Sequence, residues 1–132
     1  PFDWVREPGD LVALLESSLN STRPFEIKGA GIGSFGTRVL FVNVQLSPEL
    51  AAVQKQLSWT LKEEGIPVDT RPYHPHITLA TRLRPAEFDK YRARLGDFSL
   101  EYSFICSNVA LFRFTKEGRW EDWTQMALSL LG

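Results

Sequence analysis

The run Arg38-Val39-Leu40-Phe41-Val42-Asn43-Val44-Gln45-Leu46 constrains the fold more than any other part of the sequence. In an extended strand successive side chains alternate sides, so Leu40, Val42, Val44 and Leu46 line one face and Val39 and Phe41 the other. A strand apolar on both faces belongs in the middle of a sheet covered by helices. That arrangement needs enough chain to build the covering layers. The 132 residues, 43% of them apolar and 23% charged, suffice for one compact domain with a true core. We therefore expect residues 1–132 to form a single domain.

The surrounding segments supply the layers. Pro8-Gly9-Asp10 reads as a turn and helix cap, after which Leu11, Leu14, Leu15 and Leu19 recur at helical spacing over residues 10–20. Phe25 to Lys28 alternates as a short strand, and the glycines at 29, 31, 33 and 36 mark a turn or bulge region. This glycine-rich run lacks the lysine and following helix of a phosphate-cradling loop. Ser47-Pro48 opens a second helix carrying Leu50, Val53, Leu57 and Leu61, which Gly65 and Pro67 end. Residues 75–80 read as a strand. Pro85 starts a third helix with Phe88, Tyr91 and Leu95 on one face and Gly96 at its end. Leu100–Cys106 and Val109–Phe114 read as strands, and the tail with Trp120 and Trp123 has no assignable pattern. The order α-β-β-α-β-α-β-β defines an α+β protein.

Composition narrows the function classes. A net charge of −1 excludes bulk electrostatic gripping of long nucleic acid, so a nucleic-acid substrate would have to be held locally. The single cysteine, Cys106, rules out an internal disulfide and reads as a small buried hydrophobe in a strand. A reducing cytoplasm fits. No apolar run approaches the ~20 residues of a membrane span, and no segment reads as a secretory signal. The start at Pro1-Phe2-Asp3-Trp4, without an initiator methionine, reads as trimmed or processed.

Both histidines lie in Arg71-Pro72-Tyr73-His74-Pro75-His76-Ile77-Thr78-Leu79-Ala80. On a strand, His76 and Thr78 point to the same face, while Ile77 and Leu79 point to the other and can anchor the strand in the core. Imidazoles titrate near neutral pH and give or take protons. A hydroxyl beside one can donate to a non-bridging phosphate oxygen, and a strand fixes the two relative to each other. An isolated triplet of this kind would be an ordinary half-buried strand; its context carries the argument.

The octapeptide Tyr73 to Ala80 resembles the second signature of the bacterial 2'-5' RNA ligase and RNA cyclic phosphodiesterase family, within the two-histidine phosphoesterases. Phe25 to Gly33 followed by Arg38 to Val44 resembles that family's central hairpin, and the helix from Pro48 to Gly65 stands in the expected order. The resemblance implies a bilobal α+β fold with antiparallel sheets flanked by helices, each half giving one His-x-Thr/Ser motif to a shared cleft. It implies His76 and Thr78 as catalytic residues and Tyr73, His74, Arg82 and Arg38 as substrate-binding. It also implies acid–base hydrolysis of 2',3'-cyclic phosphates at RNA ends or on nucleotides, reversible as 2'-5' ligation, with no metal and no cofactor.

The sequence departs from the family pattern twice. With two histidines in one decapeptide there is no second motif, so the first lobe is expected to be incomplete and its strand-helix-strand to precede Pro1. The retained lobe or self-association would then cover the exposed apolar surface. Where the family often carries an arginine, five residues after the motif histidine, stands Thr81, with Arg82 one later. A one-residue offset reverses the strand face, so Arg82 can clamp phosphate only if the strand has ended there.

His74 could be a second acid–base group; capping the strand entrance near the cleft mouth is the preferred reading. His-x-His could also start a metal site, but a third ligand is missing from the motif. Six basic residues between Arg71 and Arg94 (Arg71, Arg82, Arg84, Lys90, Arg92 and Arg94) face only Glu87 and Asp89, a local balance of 6 − 2 = +4. This favours a phosphate modestly, although Lys90, Arg92 and Arg94 also fit a solvated helix face. The alternatives to an enzyme are a non-catalytic nucleotide or RNA-end binding module and an inactive fragment.

Overall fold

A computed structural model describes residues 1–96 and 102–128. The elements run α1 (Pro8–Leu19), β1 (Phe25–Phe35), β2 (Val39–Val44), α2 (Pro48–Glu63), β3 (His76–Ala80), α3 (Pro85–Leu95), β4 (Tyr102–Cys106), β5 (Asn108–Phe114) and β6 (Trp120–Ala127). The class is α+β, as expected. Leu100 and Glu101 of the expected strand, and the tail leucines Leu130 and Leu131, lie outside the described residues. Among the described residues no helix is long and apolar enough to cross a membrane.

The chain divides into two compact units. The first comprises Pro1–Phe25, Pro48–Arg71 and Ile105–Gly132. Here α1 packs against α2 and touches β6. Leu11, Leu15 and Leu19 form the buried stripe that the leucine spacing predicts, with Val53, Ile66 and Met126 buried in the same unit. Glu7, not Asp10, stands at the N-cap position of α1; Asp10 lies in the first turn, where a carboxylate complements the helix dipole. Strands β5 and β6 form an antiparallel ribbon that leaves Phe114 and Trp120 exposed.

The second unit comprises Glu26–Ser47 and Pro72–Phe104. Its sheet has the order β3-β2-β1-β4, with β2 antiparallel to both neighbours. The interior place of β2 follows from its two apolar faces: Leu40, Phe41 and Val42 are all buried. Helix α3 packs against β2, and Leu40, Leu79, Leu83, Tyr91 and Leu95 line a groove there. Leu46 lies beyond the strand and is exposed.

Three expectations need correction. The glycine-rich run is mostly strand. From Gly29↔Val44 to Ile32↔Val42, β1 advances three residues while β2 advances two, so one extra residue is accommodated there. Gly31, at φ 71°, takes the left-handed conformation that such a bulge requires. Ile77 and Leu79 do not anchor the core: they are 42% and 49% exposed, because β3 is an edge strand. Cys106, at the end of β4, is half-buried, donates to the Asn108 carbonyl at 3.4 Å, and has its thiol pKa pushed up by that burial.

Leu40, 1% exposed, joins β2 to the α3 layer. Leu40→Ala should cost about 2–5 kcal/mol of unfolding free energy, the range for emptying a leucine-sized core site. Urea denaturation measures it, and a loss below about 1 kcal/mol would mean that the sheet–helix layer repacks freely.

Candidate active site

The site is built on the face of β2 and β3 that carries Phe41. Register places Asn43 opposite His76 and Phe41 opposite Thr78. His76 and Thr78 therefore share one sheet face, while Ile77, opposite Val42, takes the other. Both histidines are exposed. The loop ahead of β3 is fixed at its end by Pro75, which is buried and whose carbonyl accepts a hydrogen bond from Val44 N–H at 3.2 Å.

Four rings pack together on this face. Phe35 and Phe41 lie 4.4 Å apart between centroids. His76 sits 5.0 Å from Phe35, edge-on at 90°, and 5.1 Å from Phe41. His74 sits 5.4 Å from Phe35 and 5.2 Å from Phe41, and its centroid is 5.9 Å from that of His76. Offset and edge-on arrangements are the favourable ones for aromatic rings. Phe41 is 2% exposed and forms the floor; Phe35 is 42% exposed and forms a wall.

Hydrogen bonds orient the imidazoles. His76 Nδ1 lies 2.7 Å from the His74 carbonyl oxygen. A carbonyl oxygen only accepts, so Nδ1 carries the hydrogen and Nε2 is left for other work. His74 Nε2 lies 3.0 Å from Asn43 Oδ1. Nearby, local desolvation pushes the Tyr73 hydroxyl pKa up, keeping it a neutral donor and acceptor.

Arg38 and Arg82 lie elsewhere on the same unit. Strand β3 ends at Ala80, and Arg82 follows with φ 55°, so strand alternation does not apply to it. The Arg38 carbonyl accepts from Leu83 N–H at 3.1 Å. Arg38 and Arg82 thus flank the Leu40–Ala80 end of the ladder, roughly 13 Å along the strand from His76. The structure brings together His74, His76 and Thr78 on one side and the two arginine segments on the other. Arg71 is engaged by Asp69, with Nε 3.0 Å from each carboxylate oxygen, and this pairing lowers the Asp69 pKa to about 2. Lys90, Arg92 and Arg94 are exposed on α3, as a solvated helix face requires. Among the described residues no three or more His, Cys, Asp or Glu side chains cluster in a way that could hold a metal ion.

Sequence reasoning missed Phe35 and Asn43 as neighbours of the histidines, and Gly33 beneath the Phe41 ring. Asn43 was within reach: it is the lone polar residue inside an apolar strand and has the same parity as Phe41.

A histidine and a threonine two residues apart on an open strand face can move a proton and donate a hydrogen bond side by side. A family model described as the 2'-5' RNA ligase superfamily matches residues 1–118, and the chain belongs to that superfamily. It is 31% identical over 94 residues to a Bacillus subtilis (strain 168) protein named RNA 2',3'-cyclic phosphodiesterase, a match covering 68% of this chain and 50% of that protein. The chain therefore spans about half the length of this curated relative. Among solved structures, the TT0787 protein of Thermus thermophilus is similar with a TM-score of 0.66 and 21% identity, covering 94% of this chain and 73% of that one. Escherichia coli LigT, complexed with 3'-AMP, is similar with a TM-score of 0.63 and 18% identity, covering 91% and 67%. At these identities the structural likeness establishes the two-histidine phosphoesterase fold.

Proposed function

We propose that this chain contributes one proton-transfer half of a metal-independent cyclic phosphodiesterase acting on 2',3'-cyclic phosphates of RNA ends or nucleotides. The observation that carries this reading is His76, on the face it shares with Thr78: its Nδ1–H is committed to the His74 carbonyl at 2.7 Å, and its Nε2 has no hydrogen-bond partner among the described residues. In hydrolysis, water attacks phosphorus and one ribose P–O bond breaks. One base takes a proton from the water and one acid returns a proton to the leaving ribose oxygen. His76 Nε2 serves as one of these groups, and the Thr78 hydroxyl donates to a non-bridging oxygen. With a 5'-hydroxyl in place of water as the nucleophile, the same proton transfers break the P–O3' bond and leave a 2'-5' linkage. The name of the B. subtilis relative and the 3'-AMP complex of LigT support a nucleotide substrate.

The second acid–base group must stand across the phosphorus from His76. His74 is poorly placed for this, with its ring 5.9 Å away and packed on the same two phenylalanines. We assign that role to a histidine of the part of the family fold that this chain does not span. The test is turnover of a 2',3'-cyclic nucleotide, with product identified by chromatography, for the 132-residue chain and for the same chain extended by its upstream coding sequence. The extended protein should turn over and the short chain should be weak or inactive. Full activity of the short chain would move His74 into the second role, and nucleotide binding without turnover by the extended protein would make this a binding module. Activity should persist in EDTA. Loss that zinc or manganese restores would refute the metal-independent mechanism.

A further inference from the structure

We propose that Asn43 is a positioning residue for His76, acting through His74, and that it keeps the two histidines in opposite tautomers. The consequence for turnover rests on the reading of His76 above; the tautomer assignment does not.

His74 precedes β3 and lies in no regular element, yet its carbonyl fixes the ring orientation of His76. A carbonyl on an unanchored loop would hold that ring poorly. Pro75 fixes the end of the loop, and the side-chain anchor is His74 itself, which rests against Phe35 and Phe41 and hydrogen-bonds Asn43 Oδ1 at 3.0 Å. Asn43 stands on interior strand β2, with its Cα opposite that of His76. The same rigid residue position thus sets the register of His76 and, through its amide, the loop residue that orients the His76 ring.

The chemistry of the acceptors dictates the proton positions. Asn43 Oδ1 accepts, so His74 carries its hydrogen on Nε2. The His74 carbonyl accepts, so His76 carries its hydrogen on Nδ1. In neutral His76 the Nε2 lone pair is then available to take a proton, and in the cation Nε2 holds the proton that can be given. The Nδ1 bond survives both states, so the ring need not reorient during the cycle. Without Asn43 the loop carbonyl loses its side-chain tether and the alternative His76 tautomer, with its hydrogen on Nε2, becomes accessible. That tautomer cannot serve as a base at Nε2.

With two histidines in the chain, nitrogen-15 histidine labelling gives two imidazole spin systems. Long-range proton–nitrogen correlation spectra of the 132-residue chain, taken at alkaline pH, read the tautomers directly. We expect His76 with hydrogen on Nδ1 and His74 with hydrogen on Nε2. Asn43→Leu should populate the Nε2–H form of His76, and Asn43→Asp, which keeps the acceptor oxygen, should restore the native form. In a protein that turns over, Asn43→Leu should lower kcat by up to about 10²-fold, the cost of a small misplacement, with KM little changed, and Asn43→Asp should recover most of it. The wild-type spectrum alone can overturn the proposal: His76 with hydrogen on Nε2, or His74 with hydrogen on Nδ1, contradicts it without any variant. An Asn43→Leu protein with wild-type His76 signals also contradicts it. If the tautomers are as stated and no cyclic nucleotide is hydrolysed, the functional reading fails and the positioning role stands.

Discussion

His76→Ala, introduced into a form of this protein that hydrolyses a 2',3'-cyclic nucleotide, is expected to lower turnover by about 10²–10⁴-fold, the usual contribution of one positioned proton-transfer group. The effect should fall on kcat more than on KM, because proton transfer is an interaction of the transition state. Structure predicts that little of the loss comes from unfolding. His76 is exposed on an edge strand, and its ring contacts are with Phe35 and Phe41, which also hold each other at 4.4 Å. His76→Gln is the useful companion: it retains a polar side chain of comparable reach but has no nitrogen that titrates near neutrality. Turnover of His76→Ala within a factor of two of the parent would remove His76 from the mechanism. Thr78→Val, which removes a hydroxyl and keeps the branched shape, should cost less, because it deletes one hydrogen bond rather than a proton carrier.

How much of this was legible in the sequence depends on periodicity. Arg38 to Leu46 announced an interior strand through apolar parity, and β2 is interior. The pairing of His76 with Thr78 on one face followed from the same rule and is reflected in their partners Asn43 and Phe41. Legibility failed where a bulge shifts the period. In β6 the large apolar residues stand at Trp120, Trp123 and Met126, three apart, which no regular strand would show. The register explains it: Phe112 pairs with Asp122 and Leu111 with Thr124, so Trp123 is the inserted residue and alternation restarts after it. The bulge near Gly31 likewise disguised most of β1 as a turn. The aromatic cluster was hidden for another reason. Phe35 is six residues from Phe41 in sequence but meets it through the hairpin, a contact fixed by register that composition does not reveal.

Gly33→Ala is expected to damage the site more than the fold. Gly33 lies directly opposite Phe41 in the β1–β2 ladder. A Cβ there would come within 2.5 Å of Phe41 Cε2, 2.8 Å of Cζ and 3.1 Å of Asn43 Nδ2. The phenylalanine ring lies over the glycine because nothing stands between them. It cannot swing aside cheaply, since Phe35, His74 and His76 all pack on it at centroid distances of 4.4 to 5.2 Å. A methyl group at this point therefore displaces the floor under both histidines and presses on the amide that tethers His74. Overpacking of this kind costs about 1–3 kcal/mol, offset by about 0.5–1 kcal/mol from removing glycine's backbone freedom in a strand. The net loss of stability should be about 1–2 kcal/mol, small enough to leave the protein folded. Turnover is a steeper function of position: a displacement of about 1 Å can cost about 10²-fold, and a loss of that order is expected. Gly9→Ala in α1 is the control, since a Cβ there meets nothing within 4 Å and alanine favours a helix by about 0.8–1 kcal/mol. It should leave turnover unchanged and hold or raise stability. Urea denaturation and cyclic-nucleotide hydrolysis on the two variants separate the effects. A Gly33→Ala protein with parental turnover would mean that the Phe41 ring is not what seats the histidines.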